Sequence, residues 1–415
     1  MHNKKGQITR RSLLKGAGVL GAASVVAAGT PALFGCSSQQ GDVHQQPLSV
    51  SNNDIISIMD SFTETDQNPP HMANTASYNL PAGTILLPAE GSWCAALIQG
   101  EAANPLIKAG IFSLASGNLA PLVDKPISAG TSVVIQDARA SDEVYGWLEV
   151  DTSTSVWTLY GATLTNGTLT SEPTKLFSAD AQWEAPSFVA SGTAIIFQTL
   201  PTTDGSQAKE HSRAYLWRPG MAEPKVVLES AGRFACAPGV SEGQVIFVPR
   251  AEPSQETHYA LSAYALSDDC ATNTITLVLP SPIKPSGATM VAGRLAYTIE
   301  AAYSSSGVLG KLGTFMQVDP GNQNTTQGFY YINREPYTAP AGTSNILVSK
   351  NRASYLVCIL SEKTFGNLYA INRAADYGEY PLRLGSTNDF ATYASVKDPA
   401  TGRPVQVTVR VFSYQ

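Results

Sequence analysis

Side chains able to do acid–base or ligand chemistry are few and scattered in this chain. Five histidines occur, His2, His44, His71, His211 and His258. Only His211 and His258 fall in the repeating part described below, about one repeat apart, in expected loops. General acid–base catalysis needs such groups within hydrogen-bond reach of one another or of a substrate. Equivalent loop positions would allow that, but two solvated loop histidines is the simpler reading. The visible carboxylate clusters are Asp142-Glu143, Asp268-Asp269 and the Glu252/Glu256 pair. Two carboxylates at the right separation cleave a glycoside, yet each cluster reads first as a solvated turn. No H-E-x-x-H, G-x-S-x-G or P-loop follows the N-terminal region. Gly307-Val308-Leu309-Gly310-Lys311-Leu312-Gly313 lacks both the phosphate-loop spacing and the hydroxyl after lysine. Asp319-Pro320-Gly321-Asn322-Gln323-Asn324 has oxygen ligands out of calcium-loop order. The expectation is therefore no metal and no cofactor.

Binding is the better expectation. The longest excursions between expected strands are residues 201–212, 250–258 and 301–311. Loops held on a rigid scaffold are where binding groups concentrate. Arg213, Arg250, His258, Tyr259 and Tyr303 in and beside them are the candidate ligand-binding set, suited to a polar ligand or a peptide, with tolerated surface insertion the simpler reading of the loops.

The N-terminus carries an address. Thr9-Arg10-Arg11-Ser12-Leu13-Leu14-Lys15 is followed by 19 uncharged residues, 16–34, rich in Ala and Gly and broken by Pro31, and then by Gly35-Cys36. A short basic region, a mild apolar region and a small-residue exit describe a removable signal better than a permanent span. The segment resembles a bacterial twin-arginine export signal fused to a lipoprotein cleavage box, with Phe34 bulky for its place in the box. The resemblance implies that Arg10 and Arg11 direct export of a folded protein. It also implies that the mature chain begins at Cys36, lipidated there and held on the outer face of the membrane. An uncleaved N-terminal anchor is the alternative and leaves the body on the same side. Gly16-Ala17-Gly18-Val19-Leu20-Gly21 spells a dinucleotide fingerprint, but inside the signal it has neither the strand before it nor the helix opening at it that such a site needs.

Composition bounds the rest. Charged residues make up 14% of the chain, against roughly 25% in an ordinary soluble protein. Tyr, Thr and Val are plentiful, and the 34 Gly and 26 Pro are spread throughout. That is the composition of many short strands joined by turns. A formal net charge of −6 argues against nucleic acid, which selects basic faces. It equally disfavours a broad electrostatic grip on anionic lipid, leaving the lipid on Cys36 as the tether. Cys94, Cys236, Cys270 and Cys358 are far apart, without the C-x-x-C spacing of zinc or redox sites. Cys94 and Cys358 lie in apolar runs and read as core residues. Cys236 with Cys270 is the one pair whose oxidation is worth testing.

After residue 80 the most apolar runs are 93–98, 144–150, 194–199, 244–248, 294–299, 354–360 and 404–412, in steps of roughly 50 residues. A second series, such as Val156-Trp157-Thr158-Leu159-Tyr160 and Arg213-Ala214-Tyr215-Leu216-Trp217, falls one hairpin later in each unit, which makes about four strands per repeat. Several runs are apolar without alternation, as in Ala194-Ile195-Ile196-Phe197. A strand with one wet face would alternate, so these strands are covered on both faces, as in blades stacked around an axis. Tandem β-sandwiches are the alternative. Trp183-Glu184-Ala185-Pro186 running to Ser191-Gly192-Thr193-Ala194, and Phe234 to Phe247, are similar to blade segments of the TolB and WD40-like periplasmic propellers. The Pro-Asp of that family's turn is absent, so the resemblance is architectural, covers most of residues 84–415 and transfers no functional residue.

The expected fold is all-β, a seven-bladed propeller of four-stranded antiparallel blades, with six blades as the fallback. Residues 1–35 are read as signal, 36–53 as lipidated cysteine and flexible tether, and 54–415 as propeller. The seventh unit runs out of chain, so segments 54–59 and 76–80 are expected to complete it. The expected function is a membrane-tethered, extracytoplasmic binding or scaffold module for a protein, peptide or envelope glycan. The alternative is an extracytoplasmic enzyme acting on carbohydrate.

Overall fold

Ala194–Thr199 is buried along its whole length, and its successive residues face opposite neighbours. Ile195 and Phe197 pack with Val144, Leu148 and Trp157 on the preceding sheet. Ala194 and Ile196 pack with Val245 and Phe247 on the following one. Side chains alternate across a strand, so an unbroken apolar run delivers a hydrophobic face to each side. The same device builds every layer of the body. In the computed structural model the described residues are 46–65, 69, 71–99, 106–251, 256–351, 354–371 and 379–415. Arg10, Arg11 and Cys36 lie outside them, as does Glu252.

The described strands form seven sheets. The first comprises Ile85–Leu86, Trp93–Ile98, Lys108–Ser113 and Leu119–Val123. The second has Val133–Ala140, Val144–Asp151, Trp157–Thr165 and Thr174–Ala179, and the third Ser187–Ser191, Ala194–Thr199, Ser212–Trp217 and Lys225–Ser230. The fourth has Gly239–Ser241, Gln244–Phe247, Ala260–Ala265 and Asn273–Val278, and the fifth Gly287–Val291, Arg294–Ile299, Gly313–Gln317 and Phe329–Ile332. The sixth has Ala341–Gly342, Ile346–Lys350, Ser354–Ile359 and Thr364–Tyr369. The seventh has Glu379–Pro381, Asp389–Lys397, Pro404–Tyr414 and, from the other end of the chain, Met72–Pro81.

Seven hydrophobic clusters join these sheets pairwise. Five lie between consecutive sheets from the first to the sixth, one joins the sixth to the seventh, and one joins the seventh back to the first through Leu80, Val409, Cys94 and Phe112. A chain of layers whose last packs on its first is a ring. The fold is therefore a β-propeller of antiparallel, mainly four-stranded blades.

Met72–Pro81 closes the ring by pairing antiparallel with Pro404–Tyr414 over its full length. The expected closing segment 76–80 lies inside this strand. The other one does not reach the last sheet: Ile55–Ser57 adds a parallel outer strand to the fifth, against Phe329 to Tyr331. Thr63–Glu64 does the same for the sixth. The N-terminal segment thus edges three consecutive sheets before the repeats begin. It starts further upstream than the composition suggested. Leu48, in the stretch read as tether, is buried between the fourth and fifth sheets, and its amide donates to Val278 O at 2.8 Å. Polar composition hid this because only Leu48 and the half-buried Val50 make the apolar contact. Covering outer strands in this way leaves fewer unpaired edges, which otherwise template aggregation.

Two first-to-second strand turns show why glycine is required. Glu242-Gly243 and Ala292-Gly293 both have two successive residues at positive φ, the geometry of a tight two-residue hairpin turn. The four described cysteines, Cys94, Cys236, Cys270 and Cys358, are free. Cys94 and Cys358 are core residues, as their apolar runs predict. Cys236 precedes the first strand of the fourth sheet, and Cys270 lies in the turn between its third and fourth strands. An antiparallel meander puts those two positions at opposite ends of the sheet, so they do not meet.

Candidate functional site at the central channel

Each sheet presents its first strand to the axis, and these strands wall a cavity of about 320 Å³. Its lining draws on all seven sheets, from Pro88, Ala89 and Glu90 of the first to Leu384 of the seventh. The volume falls in the range of small-ligand pockets, roughly 300–1,000 Å³.

The two ends of the channel differ. Because each sheet is a meander, connections between sheets and second-to-third strand loops emerge at one end, and first-to-second strand turns at the other. At the first end the lining residues include Pro186, Pro238, exposed Ala237 and the Tyr337 ring, 44% exposed. This is the mouth. The turn end is bridged. Gly385–Ser386, in the link between the first and second strands of the seventh sheet, pairs parallel with Ala341–Gly342 and so joins the sixth. Its Ser386 amide donates to Ser241 Oγ of the fourth at 2.9 Å, and its hydroxyl accepts from the Ala292 amide of the fifth at 2.6 Å. Gly385 is needed there: its φ is +72°, and a Cβ would sit 2.7 Å from Ser241 Oγ and 2.8 Å from Thr289 Oγ1.

The wall is mostly Pro, Ala, Gly, Ser and Val. Three ionisable side chains of Asp, Glu, His, Lys or Arg type line it, namely Glu90, Asp137 and Arg139. Asp137 and Arg139 form an ion pair at 2.5 Å, and the Arg139 guanidinium lies 5.6 Å from the centre of the Phe188 ring. Glu90 is at the bridged end, where its carboxylate accepts from the Ser191 hydroxyl of the third sheet. Burial pushes the Glu90 carboxyl above its ordinary range, against the pull of the Ser191 hydrogen bond and the Arg383 charge. Arg383 is itself engaged by Asp389 at 2.9 Å and by the carbonyls of Ala89 and Gly91 at 2.9 and 2.6 Å. Thr289 Oγ1, on the wall, is buried without a hydrogen-bond partner. Among the described residues no group of three or more His, Cys, Asp or Glu side chains is placed to hold a metal ion.

The residues expected from the sequence to bind a ligand stand elsewhere, and none of the five lines the cavity. The three long excursions are all second-to-third strand loops, of the third, fourth and fifth sheets, so they share the mouth end. There Arg250 donates to Thr257 Oγ1 at 3.2 Å, His258 Nδ1 lies 2.9 Å from Leu279 O, and the Tyr303 hydroxyl donates to Lys284 O at 3.2 Å. Tyr259 is pushed up by burial and feels the charges of Arg250 and Arg233. Arg213 is apart from them, paired with Glu229 at 3.0 Å, and His211 shares that carboxylate at 2.5 Å. His211 and His258 therefore have separate partners.

The sequence pattern does not mark Glu90, Asp137, Arg139, Thr289 or Tyr337: Glu90 and Tyr337 lie in links beside two-residue first strands, and Asp137, Arg139 and Thr289 sit between core residues along theirs. One signal did point to the place. Pro186 and Pro238, the prolines of the two segments that best match the blade pattern, both line the mouth.

No family model matches the chain, and no curated protein does. Solved propeller-containing peptidases do match in fold. One, from a study of two prolyl endopeptidases and the role of inter-domain dynamics in their catalysis and specificity, aligns with a TM-score of 0.50 at 11% identity, covering 80% of this chain and 50% of that one. Oligopeptidase B from Leishmania major aligns with a TM-score of 0.40 at 9% identity, covering 82% of this chain and 45% of that one. The chain thus spans about half the length of these structures. At such identity the first likeness shows the propeller fold alone.

Proposed function

We propose that the chain is a binding module, exported through Arg10-Arg11, tethered outside the membrane by lipid on Cys36, and loaded at the channel mouth with part of a protein, peptide or envelope glycan. The observation that carries this reading is the channel: a cavity of ligand size, walled by all seven sheets and bridged at one end, with mostly small uncharged side chains. A wall of this kind supplies shape and hydrogen bonding more readily than covalent catalysis. Exported, lipid-held placement rests on the sequence signal. Ala237→Trp, at an exposed mouth position, tests the site. It should abolish uptake of an envelope-derived ligand, read by native mass spectrometry, while leaving the thermal midpoint within a few degrees. Undiminished uptake by this variant would place binding elsewhere.

A second reading, an enzyme acting on carbohydrate, has one observation in its favour. Glycoside cleavage uses one protonated and one ionised carboxyl group. Glu90 is pushed up by burial, and a second carboxyl, that of Asp137, lines the same cavity in an ion pair with Arg139. Release of reducing sugar from envelope glycan, lost in Glu90→Gln, would favour this reading over simple binding.

A further inference from the structure

Two residues that line the channel, Glu90 and Thr289, carry an unbalanced charge and an unmet hydrogen-bonding group. Asp137 and Arg139 cancel each other across a 2.5 Å pair. Glu90 has no such partner in the wall. Its hydrogen bond comes from a neutral hydroxyl, Ser191, and the nearby guanidinium of Arg383 is taken by Asp389 and two backbone carbonyls. A carboxylate withdrawn from water without a cation is costly, and a cation brought to it recovers that cost. Thr289 Oγ1 is the second observation. Its residue is 1% exposed, it lines the same cavity, and its hydroxyl has no protein partner. Thr289 Oγ1 and Glu90 both lie toward the bridged end, the first beside Gly385 and the second against Ser191. Between them and the mouth the wall offers Ala190, Val240, Ala288, Pro186 and Pro238. A slender apolar body with a charged, hydrogen-bond-donating tip fits that sequence of surfaces.

We propose that the channel takes a primary alkylammonium group, the end of a lysine side chain or of a free amine, with Glu90 and Thr289 meeting its charged tip. An ammonium carries three donors and no acceptor, which matches a carboxylate and a hydroxyl that both accept. Hydrogen bonds to charged groups are the strong ones, so the tip sets selectivity while the apolar stem fills the tube. This rests on the channel being the binding site and adds the chemistry of what enters it.

Calorimetric titration of the full-length protein with n-pentylamine, 1-pentanol and pentanoate tests it, with acetyl-lysine-amide as a fourth probe to separate the two sources. Pentylamine should bind at least about tenfold more tightly than pentanol, a difference of about 1.4 kcal/mol, and pentanoate should bind weakest. Glu90→Gln should erase the preference, Thr289→Val should weaken pentylamine several-fold, and Ala237→Trp should abolish all binding. Tighter binding of acetyl-lysine-amide than of pentylamine assigns the ammonium to a peptide, and the reverse assigns it to a free amine. Equal affinity for amine and alcohol, preference for pentanoate, or no binding of pentylamine would overturn the proposal. Those results would leave the channel reading standing as long as Ala237→Trp still blocks the envelope ligand. If Glu90→Gln proves unstable, the Thr289→Val affinity ratio decides alone.

Discussion

The backbone amide of Ser386, in the link between the first two strands of the seventh sheet, donates to Ser241 Oγ on the fourth at 2.9 Å. The bond crosses the axis and turns an open tube into a channel with one bridged end. Ser241 is buried, so its loss leaves an unpaired amide out of water, at a cost of about 1–3 kcal/mol. Ser241→Ala should lower unfolding stability in urea by that amount and admit small probes from the turn end. A neutral effect would mean that the bridge does not seal the channel.

Closure by the two chain ends gives the second prediction. Met72–Pro81 is the outer strand of the seventh sheet and pairs along Pro404–Tyr414. Deleting residues 46–81 should expose that edge and the apolar face between the last and first sheets, so the product should aggregate or elute as oligomers in size-exclusion chromatography. A monomeric product with native circular dichroism would contradict the closure.

Glu379 tests the buried electrostatics. Its carboxylate is fully buried and accepts from Arg410 Nε at 2.8 Å and Nη2 at 2.7 Å, from the Ile371 amide at 3.0 Å, and from the Thr392 hydroxyl. Removing one member of a buried pair strands the other and costs about 3–5 kcal/mol. Glu379→Ala should destabilise by that order in urea unfolding, and Glu379→Ala with Arg410→Met should recover part of the loss. A double variant no better than the single one would show that the two charges do not depend on each other.

Lys350 gives a pH dependence of definite sign. It is 2% exposed, its ammonium lies 5.0 Å from the centre of the Tyr355 ring, and burial lowers its pKa to about 8, with the Glu379 charge pulling the other way. Between about pH 8 and the ordinary lysine range the unfolded chain holds a proton that the folded chain has released, so folding stability rises with pH there. Below that window the folded state carries the full cost of the buried cation, on the order of 3 kcal/mol. Lys350→Met should therefore differ from the parent most in its favour near pH 7, and the advantage should shrink toward pH 10. A stability difference flat from pH 7 to 10 would refute this.

Much of the architecture was legible because a propeller writes its second strand in plain terms. The strand Ala194–Thr199 needs both faces apolar where the neighbouring sheets pack on it, and the sequence shows four consecutive residues, Ala194 to Phe197, that satisfy this. The closing strand was legible from the opposite kind of signal, a last repeat with too little chain. The site was not legible. First strands such as Gly239–Ser241 are three residues long, and their functional content lies in which side chain faces the axis, which depends on how seven sheets are tilted together. Glu90 carries no mark in the sequence because its partner, Ser191, is two sheets away. Leu48 was hidden for a related reason, since one buried residue in a polar stretch leaves no periodic trace.

The central claim is that the channel formed by the seven first strands is where this protein binds. Amide hydrogen exchange of the full-length protein, with and without the envelope fraction it takes up, measures this most directly. Added protection should fall on residues 186–190, 237–240 and 286–289 and spare the outer strand Lys225–Ser230. Protection confined to outer strands, with the first strands unchanged, would contradict it.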